Sequence, residues 1–330
     1  MKKEHYNELD LIKGFTIVAI LFFHSFQLKH GNIMANYFIT RYISIISIEF
    51  LMPVFFIVSG FLANTGKEYI LKFYYINKFK RLVVPYLFIN IIDYFPRTLF
   101  PNLVNSKFLG LKGIVFYGTK ITWFLYTLII IFLILPFLEK IWKKDKYLSF
   151  GIFLILINLS GIFHEIEILK LNMVTYQLIY FYLGYIIRNF YVNKIYNGKL
   201  TSNKGFYIIS FVFLGFLYNY SMINLFTRIF FSILAFLFIL NIVKRIKKGK
   251  EMYKILEFIG INSLTFYLLD GFAAVIWRTF IGKFILIDNV GTLVLILFIT
   301  KILSIYIIIK YVITKNSIFS FLLGARKEVL

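Results

Sequence analysis

The chain alternates between long apolar runs and short polar segments over most of its length. Runs of about 17–25 apolar residues are long enough to cross the hydrocarbon core of a bilayer as α-helices. The pattern predicts ten such spans: 11–28, 42–63, 82–100, 122–138, 147–163, 173–190, 206–219, 224–243, 258–281 and 290–313. Because all the connecting segments are short, we expect residues 1–330 to form one all-α, integral-membrane domain.

The composition agrees with this pattern. Of the 330 residues, 60% are hydrophobic and only 16% are charged, whereas a soluble domain carries about 25% charged residues. These values exclude an ordinary soluble enzyme and a disordered chain. There is no cysteine, which also excludes a disulfide framework, a thiolate nucleophile and an iron–sulfur cluster.

The positive charges predict an orientation in the membrane. The chain has 37 Lys and Arg against 15 Asp and Glu. If the N-terminus is cytoplasmic, 24 of the 37 fall in cytoplasmic segments and 10 in outward segments, as the positive-inside rule requires. We therefore expect a multi-pass protein of the inner (cytoplasmic) cell membrane with both termini cytoplasmic. The basicity then needs no nucleic-acid partner to explain it.

Ionisable side chains inside a span are costly and indicate function. Lys13 and His24 lie 11 residues apart in the first span, so they share one face of a helix at about 16 Å axial separation. Asp10 lies close to that face. We expect Lys13 and His24 to share a cavity that water and a ligand can enter. The alternative is a lysine that snorkels to the interface and a histidine hydrogen-bonded to a neighbouring helix.

Two further buried ionisable residues have a simpler interpretation. Asp270 and Lys301 fall near the bilayer midplane of the ninth and tenth spans, so we expect them to neutralise each other. No His, Asp or Glu residues show the spacing of a metal site, and we expect no bound metal.

Six sequence blocks resemble those of a known family. Lys13, ten intervening residues and His24 are similar to the basic-x10-His motif of membrane acyltransferase family 3, which includes fucose 4-O-acetylase-like enzymes. The other five blocks follow in the family's order: Met52–Leu62, Lys78–Tyr86, Trp123–Leu125, Phe181–Tyr185 and Gly260–Tyr267. The chain departs from the family at Leu51 and Asp270, where the family often has histidine.

The resemblance implies an O-acyltransferase that moves an acyl group, acetyl by default, from cytoplasmic acyl-coenzyme A to a hydroxyl of a cell-surface glycan or its lipid-linked precursor. The coenzyme would be a co-substrate, with no cofactor held permanently. Carried over by position, His24 is the catalytic histidine and Lys13 its basic partner. Lys78 and Arg81 become candidates for the coenzyme's phosphates; alternatively they only orient the chain and attract anionic lipid.

A histidine that acts as general base needs a carboxylate to hold its tautomer. Glu49 is the candidate, because its predicted depth in the second span is similar to that of His24. The alternative partners of Glu49 are Arg41 and Lys29 at the outer surface. A different function also stays open at this stage, namely a transporter or flippase of a lipid-linked saccharide with buried charges along its path.

Overall fold

The computed structural model describes residues 7–26, 50–63, 71–99, 110–117, 119, 122–141, 147–163, 165–166, 168–188, 224–284 and 290–326. Within these ranges the chain is helical and contains no strand. The all-α prediction is therefore confirmed for the described part of the chain. The predicted span 206–219 lies outside the described residues.

Twelve helices are numbered here in chain order. They are α1 Asn7–Ser25, α2 Met52–Phe61, α3 Leu71–Lys78, α4 Val84–Leu99, α5 Trp123–Ile141, α6 Tyr147–Ser160, α7 Leu171–Ile186, α8 Leu225–Lys244, α9 Glu251–Ile261, α10 Ser263–Phe284, α11 Val290–Ile308 and α12 Ser317–Leu323. Short π-helical segments, Phe79–Val83 and Ile309–Ile313, continue α3 into α4 and extend α11.

Four of the described helical stretches are long and apolar enough to cross a bilayer. They are Trp123–Lys140, Leu225–Lys244, Ser263–Ile281 and Gly291–Ile313. Each corresponds to one of the ten predicted spans. Together with the apolar composition, they make the chain a multi-pass membrane protein.

The prediction of one helix over 258–281 is wrong at its inner end. The chain leaves helical geometry at Asn262 (φ −100°, ψ 17°), so α9 and α10 are separate helices. The Asn262 side chain donates to the carbonyl of Phe258 at 3.1 Å and accepts from the backbone N–H of Arg326 at 2.8 Å. Asparagine competes in this way with the helical backbone for hydrogen bonds, which favours a break.

The third predicted span, 82–100, also begins differently. Its helix starts at Leu71 and passes through the π-helical segment Phe79–Val83, where Val84 N–H bonds the carbonyl of Phe79. Pro85 supplies the reason, because a proline has no N–H for the carbonyl four residues earlier, that of Arg81. The widened turn accommodates the proline without breaking the helix.

Two pairs of glycines set the closest helix crossings. A Cβ on Gly60 in α2 would overlap the carbonyl of Phe181 in α7, and one on Gly184 in α7 would overlap the carbonyl of Ile57 in α2. Gly14 in α1 and Gly260 in α9 make the same reciprocal arrangement. Small residues allow helix backbones to approach this closely. Each of these glycines belongs to one of the sequence blocks noted above or directly follows Lys13.

The α2–α7 crossing carries one additional tie. Arg188, just after α7, donates from Nη1 to the carbonyls of Phe61 at 3.1 Å and Ala63 at 2.8 Å. These carbonyls lie at the C-terminal end of α2, where the last carbonyls of a helix point beyond it. A cationic donor is well suited to that end of a helix.

We expect Gly60→Ala to lower the free energy of unfolding by about 1–3 kcal/mol or more, because the new methyl group must push α2 and α7 apart. Gly184→Ala should act in the same way from the facing helix. Gly151→Ala in α6 is the matched control, since its Cβ would lie 3.5 Å from Tyr182 Cε1, an ordinary contact. Unfolding in mixed detergent micelles measures the free energy of unfolding of all three variants. If Gly60→Ala and Gly151→Ala were equally stable, the close crossing of α2 and α7 would be contradicted.

Candidate active site

One face of α1 carries the polar residues that the sequence singled out. In the N-terminal half of α1, Lys13 Nζ lies 2.5 Å from Asp10 Oδ1, an i, i+3 ion pair. His24 lies in the last turn of the same helix, 11 residues after Lys13. The His24 end of this face contacts other helices, and the Lys13 end lines a cavity, which gives the candidate site two regions.

The first region, at the C-terminal end of α1, is built on a histidine–carboxylate contact. His24 Nδ1 lies 2.6 Å from Asp270 Oδ2 of α10. The His24 side chain is 29% exposed, whereas that of Asp270 is 7% exposed. Because an ionised carboxylate can only accept hydrogen bonds, Nδ1 carries the proton of this bond. The second ring nitrogen, Nε2, is then the one able to accept a proton.

Lys301 of α11 completes this cluster. Its Nζ lies 2.8 Å from Asp270 Oδ1 and donates to the carbonyl of Leu21 at 2.7 Å. The lysine side chain is only 1% exposed. The predicted pairing of Asp270 with Lys301 is confirmed, and the structure adds His24 on the other carboxylate oxygen. We call His24, Asp270 and Lys301 the polar triad.

The last turn of α1 is held by two cations. Lys301 bonds the carbonyl of Leu21, and Arg278 Nη2 of α10 donates to the carbonyl of His24 at 3.0 Å. The Leu21 carbonyl also accepts from Ser25 Oγ at 2.9 Å. The His24 carbonyl belongs to the last turn of the helix, where carbonyls have no helical partner and the helix dipole attracts positive charge. His24 is therefore fixed through its backbone as well as through its ring.

The second region, beside the N-terminal half of α1, is a cavity of about 350 Å³. Its walls come from α1, α2, α5, α10, the π-helical segment Phe79–Val83 and the turn after α12. Four basic side chains line it, together with one carboxylate, that of Asp10. The basic residues are Lys13, Lys78, Arg81 and Arg326. We call this space the basic cavity.

The basic cavity is electrostatically unusual. Arg81 keeps contact with solvent, but desolvation of its guanidinium by the surrounding protein, together with the nearby Arg326, lowers its pKa to about 10. Lys78 Nζ stands 3.3 Å from the centroid of the Phe132 ring, a cation–π contact. Like charges held together in a confined space repel each other, so an anionic ligand would relieve the repulsion. A phosphate group has the charge and the acceptor oxygens that suit this arrangement.

The polar triad and the basic cavity share α1 and α10 but are distinct. On α1 the cavity reaches Ile17, and on α10 it reaches Tyr267, one turn before Asp270. His24 is not among its lining residues. Seven residues separate Ile17 from His24, or about 10 Å along the helix. The expectation that Lys13 and His24 share one cavity is therefore wrong for the cavity found in the described residues.

The candidate residues from the sequence divide into three groups. Lys13, Lys78 and Arg81 come together in the basic cavity, and His24 lies in the polar triad. Glu49 lies outside the described residues.

Sequence reasoning missed the contact of Asp270 with His24. The available signal was that a carboxylate has two oxygens, whereas the sequence analysis assigned Asp270 only one partner, Lys301. It also missed Arg326, for which the available signal was the basic pair Arg326 and Lys327, two residues after Gly324. The described residues hold no group of three metal-ligating side chains.

Comparison with known families identifies the chain. The family model Acyl_transf_3, described as an acyltransferase domain, matches residues 6–309. The chain belongs to this family. No curated protein and no solved structure gave a match. The resemblance to membrane acyltransferase family 3 is thereby confirmed, and the chain is a membrane acyltransferase.

The structure gives the family blocks separate physical roles. Met52 and Phe55 of the second block and Phe124 of the fourth line the basic cavity. Gly60 and Gly184, from the second and fifth blocks, instead form the α2–α7 crossing. The blocks thus mark both the walls of the cavity and the crossings that position those walls.

We expect Lys301→Met to lower the free energy of unfolding by about 3–5 kcal/mol, because it leaves the Asp270 carboxylate buried beside an apolar side chain. Lys254→Met is the matched control. Lys254 pairs with Glu251 at 3.5 Å, but both side chains are mostly exposed, so its loss should cost less than about 1 kcal/mol.

The double variant Asp270→Leu, Lys301→Met separates pairing from packing. It removes both charges together, so its stability should exceed that of Lys301→Met alone. Unfolding in mixed micelles gives the comparison. Additive losses in the double variant would contradict the ion pair.

Proposed function

We propose that the protein is a membrane-bound O-acyltransferase with His24 as general base. It moves an acyl group, acetyl by default, from cytoplasmic acyl-coenzyme A to a hydroxyl of a cell-surface glycan or its lipid-linked precursor. Within a chain that belongs to the acyltransferase family, the observation that carries this proposal is the 2.6 Å contact between His24 Nδ1 and Asp270.

The chemistry follows from the tautomer that this contact fixes. Nδ1–H donates to Asp270, so Nε2 accepts the proton of the sugar hydroxyl. The oxygen attacks the carbonyl carbon of the thioester, the C–O bond forms and the C–S bond breaks. The coenzyme thiolate leaves and takes the proton from the imidazolium. The products are an acyl ester and free coenzyme A.

Asp270 and Lys301 assist His24 without touching the reacting atoms in this scheme. The carboxylate stabilises the imidazolium that forms when Nε2 takes a proton. Lys301 offsets the cost of keeping that carboxylate ionised away from water. Glu49, the carboxylate that the sequence favoured for this role, remains a prediction.

The donor binds in the basic cavity. Lys13, Lys78 and Arg81 face one space and suit the phosphates of a coenzyme. In the predicted topology of ten spans with cytoplasmic termini, all three lie at the cytoplasmic side, where acyl-coenzyme A is found. His24 and Arg278 lie toward the outer side in that topology, where a glycan hydroxyl would approach. The protein would then work as a single domain in the inner cell membrane.

The proposal requires a passage between the two regions. The thioester must travel past Ile17 and Tyr267 to reach His24, because the basic cavity ends at these residues. Tyr267 packs edge-on against Phe124 at a centroid distance of 5.4 Å. The passage would open if the Tyr267 ring moved away from α1 while the donor is bound.

We expect His24→Ala to reduce acyl transfer in proteoliposomes at least about 100-fold, because the hydroxyl loses its proton acceptor. Label moving from acyl-coenzyme A to glycan is the measurement. His164→Ala is the control, since His164 lies in none of the family blocks. Full transfer by a folded His24→Ala protein would remove the proposed base.

Asp270→Asn tests the orienting role separately. The amide can offer Nδ1 a donor instead of an acceptor, so the imidazole tautomer is no longer fixed and transfer should fall steeply. The affinity for acyl-coenzyme A should stay near the wild-type value, because Asp270 does not line the basic cavity. A fall in donor affinity with unchanged turnover would contradict this division of the site.

We expect Arg81→Gln and Lys13→Gln each to weaken the binding of acyl-coenzyme A about tenfold, since each removes a charge-assisted contact to phosphate. Lys140→Gln, at the exposed end of α5, is the control. The rise in melting temperature with acyl-coenzyme A measures binding, because a ligand of the folded state stabilises it. A wild-type protein that moves saccharide across the membrane but shows no such rise would favour the transporter instead.

A further inference from the structure

The C-terminal part of the described chain contributes to the site from outside the family match. That match ends at residue 309, before α12. Asn316 caps α12 by accepting from the backbone N–H groups of Ile318 at 2.9 Å and Phe319 at 3.2 Å. The helix ends at Gly324, whose φ of +68° is left-handed. Such a turn reverses the direction of the chain and fixes where the next residues go.

Three contacts fix this turn to the walls of the basic cavity. The Thr265 hydroxyl of α10 donates to the carbonyl of Leu323 at 3.1 Å, and Asn262 accepts from Arg326 N–H at 2.8 Å. Both Asn262 and Thr265 are buried. A Cβ on Gly324 would lie 3.3 Å from Pro85 Cγ, so the turn also packs against the start of α4. The backbone of Arg326 is therefore placed by buried polar partners.

The Arg326 side chain lies at the basic cavity together with Lys13 and Arg81. Arg326 and Arg81 are both exposed, whereas Lys13 is partly buried, which places the two guanidinium groups at the open side of the cavity and the lysine deeper in it. Lys78 also lines the cavity, and Asp10, the one carboxylate there, already pairs with Lys13. Adding a fourth cation to this group increases the repulsion among them. A bound polyanion would offset this repulsion and make the arrangement of four cations favourable.

We propose that Arg326 is a binding residue for a phosphate group of the acyl-coenzyme A donor, supplied by the segment after α12. The inference rests on the proposed function, because it assigns the donor to the basic cavity. A guanidinium binds phosphate through two parallel N–H donors, which a lysine cannot do. Arg326 would then act at the entrance, where the phosphates remain while the thioester arm extends inward past Ile17.

The test measures the binding of coenzyme A to the full chain in a detergent without phospholipid, so that no lipid headgroup competes. Arg326→Gln should raise Kd about tenfold or more, and Arg326→Lys should raise it by less, because lysine keeps the charge and loses the bidentate geometry. Arg245→Gln is the matched control. Arg245 follows α8, is exposed and does not line the cavity. The Kd of Arg245→Gln for coenzyme A should therefore equal that of the wild-type protein.

A second ligand, dephospho-coenzyme A, identifies which phosphate group Arg326 contacts. If Arg326→Gln weakens coenzyme A and dephospho-coenzyme A equally, Arg326 contacts the pyrophosphate; if it weakens only coenzyme A, it contacts the 3′-phosphate. Either result supports the assignment. The melting temperature without ligand should match wild type, because the Asn262 bond uses the backbone of residue 326. Arg326→Lys serves as the binding test if Arg326→Gln does not fold.

The outcomes separate this inference from the proposed function. If Arg326→Gln binds coenzyme A as tightly as the wild-type protein does, Arg326 is not a binding residue. The assignment of the donor to the basic cavity is then unaffected. An equal loss in Arg245→Gln would also overturn the role of Arg326, because the effect would then be one of general surface charge. Wild-type protein that binds no coenzyme A would overturn the donor assignment itself.

Discussion

One buried carboxylate, that of Asp270, links three helices of the described structure. Asp270 lies between His24 of α1 and Lys301 of α11, at 2.6 and 2.8 Å. Burying a carboxylate without partners is costly, and here each oxygen has its own partner on a different helix. The contact thereby ties α1, α10 and α11 into one unit. It also fixes the ring orientation of His24, so the same interaction serves stability and the proposed chemistry.

Much of the helical content could be predicted from the sequence, because span length and apolarity depend on local composition. The positions where helices are interrupted were harder to predict. Asn262 interrupts a run that hydropathy alone joins, and Pro85 produces a π-helical turn instead of a helix start. Both depend on backbone hydrogen bonds, which an average over a window of residues does not detect.

The candidate site was predicted in part for a similar reason. Lys13, Lys78 and Arg81 were brought to one cavity as family position implied. The His24–Asp270 contact was missed because hydropathy gives a residue's depth along its own span, not the tilt or rotation of one helix against another. Asp270 was placed near the midplane and His24 toward the outer side, and the packing of α10 on α1 brings them together.

The contribution of Arg326 to the basic cavity has a consequence for biosynthesis. More than 300 residues separate Arg326 from Lys13, so the basic cavity brings together side chains of very high sequence separation. During translation, Lys301 leaves the ribosome before α12, and the polar triad can therefore assemble while the pocket still lacks one wall. If the donor binds there as proposed, full affinity for a polyanion would therefore be reached only after α12 and the turn that follows it have folded onto α10.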